Sequence, residues 1–376
     1  MATDNQKTAT QARTTFFGVD MGNSLAKVVY FDVHDSREAQ DPETAASSRT
    51  IHDYIVSKTE YDHLGAIREE HLTLRDVSVN DRKGTMRFIR FPVIEVDRLI
   101  ALVQTMKVPT HGVTVVATGM GAYIHQAAVK GTTETDYHTA DEFGTMISGL
   151  AYLLTHSPRE CYFLADPYNK ELTRKVYVEN EEIAYPFIVC TIGSATSIQI
   201  VESPTKFSIV GGSTIGGATF LALACMLTPA TTFDEVIELA KKGDNKGTID
   251  KLLGDRGCEY YLDRFAVKIP ANFVAIQFGH MLDAERRKSA KAEDIARALI
   301  GLITSVVGTA LLGTLKGTDI KQVLFAGSFL HNNDIAIQHL TTGLNHAPSP
   351  VKGYFLQHEG FCGAIGSLVD LLSSKV

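Results

Sequence analysis

The sequence predicts an α/β protein whose core is present twice. Three observations carry this. Residues 16–31 read as strand, tight turn, strand, with an apolar run at 16–19 and a longer run at 25–31 rich in β-branched and aromatic residues. Turns of the same glycine and hydroxyl composition recur among strand-like residues at 191–197, 211–218 and 324–328, so together with the first turn they occur in both halves of the chain. A length of 376 residues is enough for two domains of ordinary size, each with its own core.

The first turn, Asp20-Met21-Gly22-Asn23-Ser24 followed by Lys27, suits a triphosphate. Gly22 lets the backbone come close, and turn N–H groups can face phosphate oxygens. Asp20, at the strand end, is placed to hold Mg²⁺ through water, because magnesium keeps several waters and takes few protein carboxylates. The alternative is an ordinary β-hairpin with a polar tip. No G-x-x-x-x-G-K-[ST] occurs, which excludes a Walker-type loop.

Downstream, 35–48 is polar without apolar period and reads as an exposed loop. A second hairpin is expected from strands at 71–77 and 86–91 joined by a turn at 82–85. Residues 96–106 carry helical spacing, and 113–118 form a buried-type strand running into the strand-to-helix turn Gly119-Met120-Gly121-Ala122. At 140–154 the acids Asp141 and Glu142 open an apolar helix. Capping and the helix dipole alone favour acids there. The functional alternative is that one of them removes a proton from an attacking hydroxyl, as a carboxylate can in phosphoryl transfer, whose loose transition state mainly demands positioning of the nucleophile.

The region 167–182 reads as a loop. The second half then opens with a strand at 187–192, a turn at 193–196 and a return strand at 197–201. Gly216-Gly217 leads into a helix at 219–227, a glycine-rich helix start suited to phosphate. Thr232 caps a helix at 233–241. Amphipathic helices are expected at 271–281 and 292–315, and the broad apolar face of the latter is either core or half of a subunit interface. A strand at 323–326 enters Gly327-Ser328. The glycines at 360, 363 and 366 open the last helix at a place of close backbone approach.

Net charge of −7 and pI near 6.0 argue against a dedicated nucleic-acid binder. No apolar run of the roughly 18–20 residues needed to span a bilayer is expected, and residues 1–15 read as a disordered tail without a signal-peptide core. Five scattered cysteines, with no C-x-x-C, point to reduced thiols and a cytoplasmic setting.

Several motifs in combination resemble the eukaryotic-type (type II) pantothenate kinases, from about residue 16 to residue 372. They are Gly18-Val19-Asp20-Met21-Gly22 with Lys27, Phe88-Ile89-Arg90-Phe91-Pro92, Ala117-Thr118-Gly119-Met120-Gly121-Ala122-Tyr123, Glu160-Cys161-Tyr162-Phe163, Ile192-Gly193-Ser194, Gly216-Gly217-Ala218-Thr219-Phe220-Leu221, Lys242-Gly243-Asp244, Phe278-Gly279-His280-Met281 and His358-Glu359-Gly360-Phe361. The resemblance implies the actin/hexokinase/Hsp70-like (ASKHA) fold, a duplicated ribonuclease-H-like arrangement with an N-terminal lobe at 16–183 and a C-terminal lobe at 184–376. It implies ATP- and Mg²⁺-dependent phosphorylation of pantothenate, the first step of coenzyme A synthesis. Glu142 falls on the catalytic base, and Ser194 and Ser197 on substrate-contacting serines. Asp20, Gly22, Asn23, Ser24 and Lys27 fall on the first phosphate loop, Gly216 and Gly217 on the second, and Gly327 on the adenosine-side turn. Val274 and Ala275 fall where members hold an acyl-CoA feedback inhibitor at a dimer interface, so a homodimer, or a heteromer with a paralogue, is implied; a nucleic acid or membrane partner is not.

The chain departs from the family pattern at Asn23, Met120, Ala195 and His331. It also has Ile209 where the family places a substrate-binding arginine, with Lys206 as a nearby substitute cation that lacks the arginine fork. These departures suit two alternatives: a catalytically weakened regulatory subunit that binds ATP or acyl-CoA, or a kinase for another small alcohol.

Overall fold

The apolar runs at 16–19 and 25–31 build the first hairpin as expected. The computed structural model describes residues 15–33, 67–97, 100, 113–169, 172–261, 270–345, 347 and 349–373. The loop expected at 35–48, residues 1–14 of the expected tail and most of the helix expected at 96–106 lie outside the described residues. Strand β1 (Thr15–Met21) pairs antiparallel with β2 (Leu25–Val33), placing Asp20 opposite Lys27. After β3 (Ile67–Arg68), a second hairpin joins β4 (Leu74–Val79) to β5 (Arg82–Pro92). Its turn is Asn80-Asp81, not 82–85. Both residues take positive φ, 46° and 64°, which Asn and Asp tolerate, while Arg82 and Lys83 already pair with Val79 and Ser78.

Strand β6 (Val113–Thr118) lies parallel to β1 and leads into α1 (Met120–Thr132). Strand β7 (Asp136–Thr139) lies parallel to β6 and precedes α2 (Glu142–His156). The first sheet has the order β3-β5-β2-β1-β6-β7, with β4 on β5.

The region expected as a loop at 167–182 contains a strand. There β9 (Arg174–Tyr177) pairs antiparallel with β8 (Cys161–Ala165), with Val176 and Tyr177 half-buried opposite Phe163 and Tyr162. The chain continues through β10 (Phe187–Ile192), β11 (Thr196–Ser203), β12 (Lys206–Ser213), α3 (Gly217–Leu227) and α4 (Phe233–Lys242). A capping box between Thr232 and Glu235 starts α4.

The helix expected at 271–281 is not formed. In its place β14 (Val274–Ile276) pairs with β13 (Lys251–Leu252), and a 3₁₀ turn follows at Gly279–Leu282. Val274, Ile276 and Phe278 alternate, so the same apolar residues fit a strand. Phe278 then takes φ 55°, which no helix interior accepts, and its N–H donates to the buried Asp250 carboxylate at 2.8 Å.

Helices α5 (Ala284–Ser289) and α6 (Ala292–Leu315) follow, then β15 (Gln322–Ala326), α7 (Asp334–Leu344), β16 (Lys352–Leu356) and α8 (Cys362–Ser373). The second sheet has the order β12-β11-β10-β15-β16-β8-β9. Its core forms where Ala296, Leu299, Ile300, Ile303, Val307 and Leu311 of α6 join a cluster containing Ile188, Cys190 and Phe325 of the sheet. Each large aliphatic side chain buried this way contributes about 1.5–3 kcal/mol. Contrary to the sequence expectation, α6 is long and apolar enough to cross a membrane by length and composition alone.

The two sheets repeat one topology. In each, three strands form an antiparallel meander (β1-β2-β5 and β10-β11-β12), and two further strands run parallel to the first (β6 and β7, β15 and β16). Contacts divide the chain into one unit ending at Pro158 and rejoined by Gly360–Val376, and a second unit at Arg159–Glu359. This differs from the division at 183/184 read from the sequence. The cause is that β8 pairs with β16, while α8 packs within the first unit against α2. There a Cβ on Gly149 would lie 1.9 Å from the Cys362 carbonyl oxygen, and one on Gly366 would lie 1.7 Å from that of Thr145.

Candidate active site

In each sheet the order of strands reverses beside the first strand, between β1 and β6 and between β10 and β15. Ligands of open α/β sheets bind outside the C-terminal strand ends at such points. At the first, Asp20 is in register with Thr118 on β6 and Lys27 on β2. Lys27 Nζ lies 3.0 Å from Asp20 Oδ2, both side chains being largely buried. Gly22 donates its own N–H to the Leu25 carbonyl at 3.1 Å, which closes the turn and leaves Asn23 and Ser24 exposed at its tip.

Two glycines make room for the Asp20 carboxylate. Gly119 takes φ +84°, and a Cβ there would lie 2.5 Å from Met21 O and 3.1 Å from Asp20 Oδ1. A Cβ on Gly363 would lie 3.3 Å from the same carboxylate. The glycine spacing at 360–366 was the sequence signal for Gly363, but spacing alone did not connect it with Asp20.

Helix α2 brings Glu142 to this place. Asp141 is its N-cap, accepting the Gly144 N–H at 2.5 Å, and Glu142 is its first residue. Thr145 Oγ1 donates to Thr118 Oγ1 at 3.1 Å and also lies 2.8 Å from the Asp141 carbonyl, while Thr118 Oγ1 donates to the Ala140 carbonyl at 3.2 Å. Loss of surrounding water pushes the Glu142 carboxyl above its ordinary value, the Asp20 and Asp141 charges add to this, and Lys27 opposes it. Glu142 is exposed by surface area, so solvent screening tempers the size of the effect but not its direction. Asp20, Lys27 and Glu142 therefore share one electrostatic neighbourhood. A carboxylate of raised proton affinity there can accept a hydroxyl proton.

The second reversal point is built from glycine turns. Gly193 donates to the Ala195 carbonyl at 2.9 Å, and Thr196 Oγ1 donates to the Ile215 carbonyl at 2.9 Å. Gly217 and Ala218 donate to the carbonyls of Gly193 and Ser194 at 2.7 and 3.2 Å. The N–H of Gly217, expected to face phosphate, is thus engaged within the protein. Gly216 has a packing reason instead: a Cβ there would lie 2.8 Å from Ser194 O. Gly327 takes φ +104° where a Cβ would lie 2.3 Å from Ile192 O, and its N–H donates to the Glu359 carbonyl at 2.6 Å.

Ser194 and Ser197 are half-buried, Ser197 lying in register with Thr191. Ile209 is 54% exposed on β12. Lys206, the substitute cation considered from the sequence, is exposed and pairs with Glu202. Val274 and Ala275 are half-buried on β14, with Val274 in register with Leu252. All five cysteines are free, and only Cys225 among them is exposed.

Two sheets of one topology, each with glycine turns where its strand order reverses, define the ASKHA class of duplicated ribonuclease-H-like folds. Within that class the Fumble family model matches residues 16–370, and the chain belongs to this family, the type II pantothenate kinases. It is 28% identical over 375 residues to the pantothenate kinase of Schizosaccharomyces pombe, covering 97% of this chain and 84% of that protein. It is 28% identical over 304 residues to pantothenate kinase 1 of Arabidopsis thaliana, covering 77% of this chain and 76% of that protein. A mouse protein named 4'-phosphopantetheine phosphatase is 27% identical over 358 residues, which cover 94% of this chain but 40% of the mouse protein.

Proposed function

We propose that this chain transfers a phosphoryl group from ATP to pantothenate, the first step of coenzyme A synthesis. The observation that carries this is the placement of Glu142, a carboxylate of raised proton affinity, within the electrostatic reach of Asp20 and Lys27. The family and the names of its relatives support the same activity.

The residues fit ATP and magnesium. Gly119 and Gly363 let the backbone lie close against the Asp20 carboxylate, and one carboxylate acting through water is enough for Mg²⁺. When bound, the metal supplies charge neutralisation for the transferring phosphoryl group. The turn Gly22-Asn23-Ser24 and Lys27 would border the phosphates, with Gly216 and Gly217 shaping a second turn and Gly327 the adenosine side. Ser194 and Ser197 would hold pantothenate. Glu142 would accept the proton of the attacking hydroxyl, a role that demands position more than strength. Val274 and Ala275 would contact an acyl-CoA inhibitor, with dimerisation through α6, in a cytoplasmic setting.

Purified protein with ATP, Mg²⁺ and pantothenate tests the reading beside Glu142→Ala. Turnover by the wild type, falling about 10²–10⁴-fold in the variant, is the expected result. The exposed Ile209 at the family's arginine position favours a second reading, a regulatory subunit of weakened activity. Wild type as inactive as the variant, yet still binding ATP, would select it. Turnover of another small alcohol in place of pantothenate would select a changed substrate.

A further inference from the structure

Two sequence motifs that the reaction leaves without a role, Glu160-Cys161 and His358-Glu359, meet the Gly327 turn in the second unit. Glu160, directly before β8, is wholly buried. Its carboxylate accepts the His358 N–H at 2.9 Å and lies 2.8 Å from His358 Nδ1, while its carbonyl accepts the Gln357 N–H at 3.0 Å. The next residue, Glu359, is thereby held in one place, and it contacts the Gly327 turn twice. Its carbonyl accepts the Gly327 N–H at 2.6 Å, and its Oε1 lies 3.1 Å from His331 Nδ1.

The turn itself is closed by Leu330 N–H to Gly327 O at 3.1 Å and His331 N–H to Ser328 O at 3.2 Å. Asn332 Nδ2 faces His331 Nε2 at 3.1 Å, so the Nδ1 proton is the one that meets Glu359. The Glu359 and His331 side chains are each 14% exposed, where a charge-assisted hydrogen bond is weakly screened. Burial pushes the Tyr162 hydroxyl upward, and Glu359, Asp334 and Glu160 add to it, which places these charges around one side chain of β8.

We propose that Glu359 and His331 are positioning residues for nucleotide binding: the pair, anchored through His358 on Glu160, sets the Gly327 turn in its ligand-ready shape. The inference rests on the kinase reading, in which that turn receives the adenosine side of ATP. Gly327 has little freedom to compensate, since its left-handed conformation is pressed against Ile192 O. Neither residue need touch ATP. Each acts through the backbone of 327–331.

His331→Phe keeps a ring of similar size and removes the donor, while His331→Gln returns an N–H able to reach Glu359. In the full chain, binding of a non-hydrolysable ATP analogue is measured by calorimetry, KM is measured for both substrates, and amide exchange at 327–331 is followed without nucleotide. His331→Phe is expected to weaken analogue binding and raise the ATP KM about 5- to 30-fold, the scale of one charge-assisted hydrogen bond. The pantothenate KM should stay within about twofold, exchange at 327–331 should quicken, and His331→Gln should recover most of the affinity. Quickened exchange with unchanged ATP affinity would overturn the inference, as would equal losses for both substrates with a lowered melting temperature. A wild type that binds no nucleotide would sink the kinase reading and this link with it, and the exchange data would then still report whether the pair holds the turn.

Discussion

Thr145 Oγ1 lies 3.1 Å from Thr118 Oγ1, joining the start of the helix that carries Glu142 to the strand end beside Asp20. Both threonines are buried, and Thr118 Oγ1 in turn donates a hydrogen bond to the Ala140 carbonyl. The acid's position is thus set by two hydroxyls rather than by the acid itself. Thr145→Val preserves shape and removes the link. The expected outcome is a fall in kcat of about 10-fold with both KM values little changed, since small displacements of a reacting group are costly. Stability should drop by only about 1 kcal/mol in a urea titration. Thr155→Val removes a comparable bond, to the Ala151 carbonyl, on the exposed part of the same helix and should leave kcat unchanged.

The charges around Glu142 give a pH dependence with a definite sign. Its proton affinity is raised by desolvation first and by Asp20 next, while Lys27 lowers it. The base must be ionised, so kcat should rise with pH through a midpoint above the ordinary carboxylate value. Lys27→Met removes the opposing cation and should move that acidic limb to higher pH. Asp20→Asn removes an anion and should move it lower. Opposite displacements, whatever the loss of absolute rate, are the expected result; shifts in the same direction would mean another group titrates. Linkage has the matching sign: the folded state holds this proton more tightly, so ionised Glu142 costs stability above its folded pKa. Glu142→Gln should therefore melt higher than wild type at neutral pH, with the difference vanishing well below pH 4.5.

Residues whose roles are local were legible in the sequence. Asp141 before an apolar period announces a helix start, and Thr232 with Glu235 does the same for α4. The glycine turns at 22, 119, 193 and 327 also stood out by composition, and at 119 and 327 a positive φ and close backbone approach do require glycine. Long-range pairing was what could not be read. Alternation in 274–278 serves a strand as well as a helix, and only the partner Lys251–Leu252 and the Phe278 bond to Asp250 decide between them. The return of 360–373 to the first unit has no local signature either. Glycines spaced for packing look the same whichever surface they meet. The site was legible in its residue types, and less so in its donors, since Gly217 N–H is engaged by Gly193 O.

Those terminal glycines carry the last prediction. Helices α2 and α8 meet backbone to backbone, with Gly149 against Cys362 and Gly366 against Thr145. A methyl group on Gly366 would begin 1.7 Å from Thr145 O and 2.9 Å from Gly149 N, and both obstacles are main chain, so neither can swing aside. The helices would have to separate, weakening the core and shifting the residue three places from Glu142. Gly366→Ala should lose about 1–3 kcal/mol, the usual cost of overpacking, and kcat should fall beyond what the unfolded fraction explains. Gly313→Ala in α6 is the contrasting case. It is exposed, with no atom within 4 Å of its added methyl group, and should gain about 0.5–1 kcal/mol from helix propensity. Urea midpoints moving in opposite directions for the two substitutions would establish that contact, not glycine's flexibility, is what position 366 requires. Equal gains at both would show that α2 and α8 do not meet at this distance.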